Sequence, residues 1–145
     1  MYLTANLDNQ LCFEVYKTAS YFNKLYTQAL APFQLTYSQY LVLMVLWEKD
    51  GVITKEIGEK LGLGIGTLNP ILSKLQQRGW IEKATSPNDK RATIISLTLH
   101  AVEQQAAIEQ SICDEILRCS DLLKLEKDVH DNLRTLNNCF AKYYK

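Results

Sequence analysis

A mainly α-helical chain carrying one small β-hairpin is predicted by three features of this 145-residue sequence. Apolar residues recur at helical spacing over much of its length, as in Leu68, Ile71, Leu72 and Leu75. Glycines punctuate those runs: Gly62 and Gly64 bracket Leu63, and Gly79 follows Arg78. Only two short runs, Trp80–Ala84 and Ala92–Leu97, read as paired strands, joined by the polar segment Ser86-Pro87-Asn88-Asp89-Lys90-Arg91. With 47% hydrophobic residues, the chain can build one globular domain with a real core.

In chain order, Asp8 to Ala31 reads as a long helix. Leu11, Val15, Phe22, Leu25 and Tyr26, with Ala19 and Ala29, form its apolar stripe, and Pro32 stops it. The next helix opens on Thr36-Tyr37-Ser38-Gln39, a capping box in which Thr36 and Gln39 satisfy each other's backbone donors. Its body, Tyr40 to Trp47, is apolar nearly all round and is expected to be the buried hub. Gly51 then releases the chain into Val52 and Ile53, an edge strand for the hairpin's sheet. A short helix, Lys55 to Leu61, follows. The Gly62-Leu63-Gly64 turn permits angles that close this helix and open a second one reaching Arg78. Arg78 itself sits at the negative helix end. Beyond the hairpin, Thr98 caps a helix running to about Cys119, and a last helix covers Glu126 to Tyr144, with Leu133, Leu136, Phe140 and Tyr143 or Tyr144 as its stripe.

Helix, glycine-containing turn, helix and hairpin over Ile53–Thr98 is the order of a winged helix-turn-helix, and it points to duplex DNA. The second helix interleaves Thr67, Asn69, Ser73, Lys74 and Gln77 with its core residues, so one side packs while the other offers hydrogen-bonding groups to a major groove. The chain is neutral overall, with 16 basic and 16 acidic residues, but Gly64–Thr98 holds five basic residues against two acidic. A positive reading head on an acidic body suits phosphate contact with steep salt dependence. The terminal helices, 1–34 and 99–145, exceed what the 36–98 core needs, and predict a dimerisation layer. Two-fold symmetry would then set two heads on a pseudo-palindromic operator, half-sites about 10 base pairs apart.

No apolar run reaches membrane-spanning length and Met1–Asn9 shows no signal peptide, so a cytoplasmic protein is expected. Cys12, Cys113, Cys119 and Cys139 lack the spacing of a metal site, and neither a metal nor a cofactor is expected. In a reducing compartment these cysteines are either small core residues or redox-active thiols. His100 and His130 lie on helix surfaces with no partner cluster and receive no role.

Leu11-Cys12-Phe13-Glu14-Val15-Tyr16, Leu35-Thr36-Tyr37-Ser38-Gln39-Tyr40-Leu41-Val42-Leu43, Gly66-Thr67-Leu68-Asn69-Pro70-Ile71-Leu72 and Ser86-Pro87-Asn88-Asp89-Lys90-Arg91 resemble the MarR family. Within it they are similar to the organic-hydroperoxide-sensing OhrR branch, with the staphylococcal MgrA and SarZ regulators as relatives. The resemblance covers essentially the whole chain and is strongest over Leu7–Thr98. It implies a homodimeric winged-helix repressor, not an enzyme, which releases double-stranded DNA when an organic hydroperoxide oxidises its N-terminal cysteine. Carried over residue by residue, Cys12 matches that cysteine, and Tyr16, Tyr26 and Tyr37 match the tyrosines around it, Tyr26 and Tyr37 reaching across the dimer. Phenol donors and a nearby helix start stabilise a thiolate, the nucleophile toward peroxide. The resemblance also implies a resolving cysteine from the other subunit, where Cys119 fits best and Cys113 second; Cys139 reads as core, and a low-molecular-weight thiol could cap Cys12 instead. Cys113, six residues before Cys119, would point about 240° away on the same helix.

Thr67, Asn69, Pro70, Ser73, Lys74, Lys90 and Arg91 match the DNA-contacting positions, with Arg91 as the wing arginine and Asp89 its support. The chain departs from the OhrR pattern at Gly64-Ile65 (usually Asp-Ser), Asn69 (Thr), Ser73-Lys74 (Lys-Arg) and Lys90 (acidic), which predicts a different operator sequence. Three alternatives stay open. One is a MarR-type regulator released by a small aromatic or anionic ligand, with Cys12 structural. The others are a thiol peroxidase and a winged helix used for protein contact.

Overall fold

The computed structural model describes residues 6–144; the first five residues of the Met1–Asn9 stretch, read as showing no signal peptide, lie outside the described residues, as does residue 145. A 3₁₀ turn, Leu7–Asn9, precedes α1, Leu11–Leu30, which ends in a second 3₁₀ turn, Ala31–Phe33. There follow α2, Tyr37–Glu48, then β1, Val52–Ile53, α3, Thr54–Leu61, α4, Ile65–Gln77, β2, Ile81–Thr85, and β3, Thr93–Leu97. Two long helices close the chain: α5, Leu99–Leu117, and α6, Ser120–Phe140.

α2 is the hub. Its Thr36 cap accepts the Gln39 amide at 3.2 Å, while the Gln39 side chain accepts the Thr36 amide at 3.0 Å. Val42, Leu43 and Leu46 are fully buried, with Leu30, Ile57 and Leu68 packed into the same core. Removing such side chains from water supplies most of the folding free energy. The hub departs from expectation at Met44, which is exposed.

The three strands are antiparallel in the order β1-β3-β2, with Val52 opposite Ile95 and Thr85 opposite Thr93. Val52 and Ile53 are thus the edge strand predicted for them. The Asp50 carboxylate accepts the Gly51 and Leu97 amides at 2.9 and 2.8 Å, pinning this edge. α5 is tied to the front of the molecule at two places: the Trp47 indole donates to the Ala101 carbonyl, and Ser111 Oγ donates to the Ala29 carbonyl at 2.7 Å.

Helix boundaries, caps and exposed faces differ from the sequence reading at five points. α1 starts at Leu11, not Asp8, because Gln10 is extended and the Asn6–Asn9 side-chain pair closes a separate turn before it. α6 starts at Ser120, not Glu126: the chain breaks at Cys119 (ψ 75°), and beyond it Asp121 pairs with Lys124 inside a continuous helix. Gly64 caps α4 in an extended conformation open to any residue, whereas Gly62 (φ 67°) does close α3 in the left-handed region. Of the predicted α1 stripe only Ala29 is fully buried, beside Leu30, while Leu11 and Val15 are open. α6 has no fully buried residue, so the stripe through Leu133, Leu136 and Phe140 is unpartnered or only half covered.

Candidate nucleic-acid interface and thiol site

α4 divides its faces as its sequence dictates. Leu68, Leu72 and Leu75 are buried one helical turn apart, which turns Thr67, Asn69, Pro70, Ser73 and Lys74 outward. Pro70 lacks the amide that would bond the Gly66 carbonyl, an interruption confined to that outer face. The turn ahead of α4 is held by Gly58: its carbonyl accepts the Leu63 amide at 2.9 Å, and a Cβ there would lie 2.8 Å from the Leu63 carbonyl oxygen. Gly58 went unnoticed in the sequence, although a glycine inside α3 four residues before Gly62 was the available signal.

The hairpin tip is built by local hydrogen bonds. Ser86 Oγ accepts the Asn88 amide, the Asp89 carboxylate accepts the Arg91 amide at 2.9 Å, and the Ser86 amide donates to the Ala92 carbonyl. Asp89 therefore supports the wing through the backbone of Arg91; among the described residues it forms no ion pair with the guanidinium. Lys90 and Arg91 are exposed at the tip. A cleft of about 400 Å³ between α4 and the wing is lined by Asn69, Asp89 and Arg91, together with Ile65, Thr54 and Thr93. The fold so brings Asn69 of α4 together with Asp89 and Arg91 of the wing, while Thr67, Pro70, Ser73, Lys74 and Lys90 are exposed but do not line this cleft.

Cys12 is the second residue of α1, exposed, and its thiol donates to the Gln10 side chain at 3.1 Å. Tyr16, one turn on, is 72% exposed. In the single chain this excludes the core-packing role for Cys12. Tyr26 and Tyr37 lie elsewhere: their rings stack at 4.4 Å and 7°, with Tyr40 against Tyr26 at 5.6 Å. Fourteen residues of helix put Tyr26 about 21 Å from Cys12 along α1. Tyr40 was not singled out in the sequence, though its spacing from Tyr37 shares one helix face. Burial, above all, raises the phenol pKa of Tyr26, Tyr37 and Tyr40, the last to about 12, so all three remain protonated donors near neutral pH.

The other cysteines depart from the sequence geometry. α5 ends at Leu117, so Cys119 sits in the break before α6 and does not share a helix with Cys113. Cys139, expected in the core, is exposed on α6; Cys113 on α5 and Cys119 in the break are exposed too. His100, given no role, lies against the buried Trp80 ring at 4.6 Å. Among the described residues no group of His, Cys, Asp and Glu is arranged to hold a metal ion, and no single helix is long and apolar enough to cross a membrane.

The MarR family model matches residues 35–93, from the residue before the α2 cap into β3. The regulator TtmR of Methylorubrum extorquens is 48% identical over 93 residues, 64% of this chain, which spans about half (48%) of that relative's length. The organic hydroperoxide resistance transcriptional regulator of Bacillus subtilis is 37% identical over 139 residues, 90% of this chain and 92% of its own. Among solved structures, reduced AbfR bound to DNA matches with a TM-score of 0.77 at 36% identity, covering 92% of this chain and 96% of that one. AbfR comes from Staphylococcus epidermidis, and its disulfide-formed structure matches with a TM-score of 0.69 at 35% identity, covering 91% and 92%.

Proposed function

The chain belongs to the MarR family of transcriptional regulators, and from that premise we propose that it is a homodimeric, cytoplasmic repressor that releases a pseudo-palindromic operator when an organic hydroperoxide oxidises Cys12. The observation that carries this reading is the exposed Cys12 at the start of α1, in a chain whose tyrosine cluster stands at the far end of the same helix. A second copy packed through the open faces of α1, α5 and α6 would bring one chain's Cys12 to the other's Tyr26 and Tyr37. Leu11, Val15, Leu117, Leu123, Val129 and Phe140 supply the apolar area for it. Residues 1–34 and 99–145 then form the dimerisation layer, and 36–98 the DNA-binding core.

The chemistry follows from the thiol. The Cys12 thiolate attacks the outer peroxide oxygen, the S–O bond forms as the O–O bond breaks, and the alkoxide leaves and takes a proton as the alcohol. The resulting sulfenic acid condenses with a second thiol, forming a disulfide and water. Cys119 of the other subunit is the first candidate for that thiol, Cys113 the second, and a low-molecular-weight thiol the third. Support for a redox signal comes from the Bacillus relative's name and from AbfR, solved both reduced on DNA and in a disulfide-formed state.

A second reading is release by a small ligand, and one observation favours it: a groove of about 180 Å³ between α2 and α5 lined by Tyr40, Met44 and Trp47. Glu48 and Glu109 also line it, which fits an aromatic ligand better than an anionic one. A titration on a duplex from the protein's own promoter region, before and after cumene hydroperoxide, separates the two. Loss of binding in the wild type but not in Cys12→Ser is expected; binding that ignores peroxide would leave the ligand reading standing.

A further inference from the structure

By periodicity Arg78 lies one turn beyond Lys74, where an exposed cation at the end of α4 is expected to meet phosphate. Its guanidinium is engaged elsewhere: Nη1 donates to the backbone carbonyl of Gln34, 44 residues earlier. Gln34 is the non-glycine residue with positive φ among those described (φ 55°), and it turns the chain between α1 and α2. That corner is stiff. The Gln34 amide donates to Ala31 and the Leu35 amide to Leu30, while Leu30 and Leu35 are buried in the core. Tyr37, three residues on, carries the ring that stacks on Tyr26. At the other end of the bond, α4 stops: Arg78 donates its amide to Lys74, and Gly79 turns left-handed at φ 76°.

We propose that Arg78 is a positioning residue that clamps the C-terminal end of the DNA-reading helix to the α1–α2 corner. The tilt of α4 toward a groove and the Tyr26–Tyr37 stack are then set by the same piece of backbone. Five donors in a planar fork suit this task, since one can hold a carbonyl while the stem packs along the surface. The clamp itself does not depend on which signal the protein senses. Its use in peroxide release rests on the redox reading above.

The test uses the full-length protein and Arg78→Met, which keeps the stem and removes the donors, on a duplex from the protein's own promoter region. A clamp predicts weaker binding by about 3- to 10-fold, the size of one lost hydrogen bond. It also predicts an unchanged slope of log K against log salt and faster amide exchange over residues 31–37 in the free protein. Gln34→Gly, which retains the left-handed corner and the carbonyl, is expected to bind like the wild type. A slope smaller by about one unit with unchanged exchange would make Arg78 a phosphate contact and overturn the clamp. So would unaltered affinity in Arg78→Met, or weakened binding in Gln34→Gly. Cumene hydroperoxide adds a third comparison: the ratio of reduced to oxidised affinity falls in Arg78→Met if the corner relays oxidation. Should the wild type ignore peroxide, the redox reading fails, while slope and exchange still decide the clamp.

Discussion

Tyr26 and Tyr37 stack face to face across the α1–α2 corner, 4.4 Å between ring centroids and 7° from parallel. Their burial makes the phenolate unfavourable, and Tyr40 beside them is raised to about 12 by burial first, then by the charges of Tyr26, Glu109 and Tyr37. Folded pKa values above the unfolded value mean that the folded state holds these protons more tightly. The corresponding stability is fully present below about pH 10, the unfolded tyrosine value, and is lost as pH rises through the folded values. An ultraviolet phenolate titration of Tyr40→Phe is therefore expected to lose its missing amplitude near pH 12. Loss of that amplitude near pH 10 would show the ring to be freely solvated.

The capping box at α2 gives a stability prediction. Thr36→Ala leaves the Gln39 amide without its 3.2 Å partner and is expected to lower stability by about 1 kcal/mol, measured by urea unfolding. Thr36→Ser, which keeps the hydroxyl, should recover most of it. A loss in Thr36→Ser as large as in Thr36→Ala would refute the hydrogen-bond account.

Gly58 and Gly66 are both helical glycines and should respond oppositely to alanine. At Gly58 a Cβ meets the Leu63 carbonyl at 2.8 Å, so Gly58→Ala must displace the helix-turn-helix backbone, costing about 1–3 kcal/mol. A Cβ at Gly66 would meet nothing within 4 Å beyond its own helix backbone, so Gly66→Ala gains helix propensity, up to about 1 kcal/mol. Thermal midpoints should move down for the first and up for the second, by about 2 to 4 °C per kcal/mol. Equal shifts would mean that the close approach at Gly58 relaxes freely.

What could be read from the sequence was local. The Thr36–Gln39 box, the leucine spacing of α4 and the Ser86–Arg91 tip all depend on neighbours within a few residues, and the structure has each of them. What could not be read was long-range or unmarked by composition. The Arg78–Gln34 bond joins residues 44 apart, and no pattern announces it. The α5–α6 break at Cys119 has no glycine or proline, so the sequence pattern places the start of the last helix at Glu126, six residues late. Leu11, Val15 and Cys139 read as core because an apolar stripe marks what is to be covered, not by which chain.

The wing supplies a prediction in which charge and shape pull apart. Asp89 is an acidic residue on a basic surface, and coulombic repulsion alone says that removing it should strengthen DNA binding. Its carboxylate nevertheless holds the Arg91 amide at 2.9 Å, and its carbonyl accepts the Ala92 amide at 3.0 Å, so the side chain also shapes the tip that presents Arg91. Asparagine keeps the side-chain acceptor and drops the charge, whereas alanine drops both. Asp89→Asn is thus expected to bind a promoter duplex as tightly as the wild type or more so, and Asp89→Ala more weakly than Asp89→Asn. Arg91→Ala should reduce the slope of log K against log salt by about one unit if the guanidinium neutralises one phosphate. If Asp89→Ala matched Asp89→Asn, the turn would form without its side-chain bond, and Asp89 would act on DNA through charge alone.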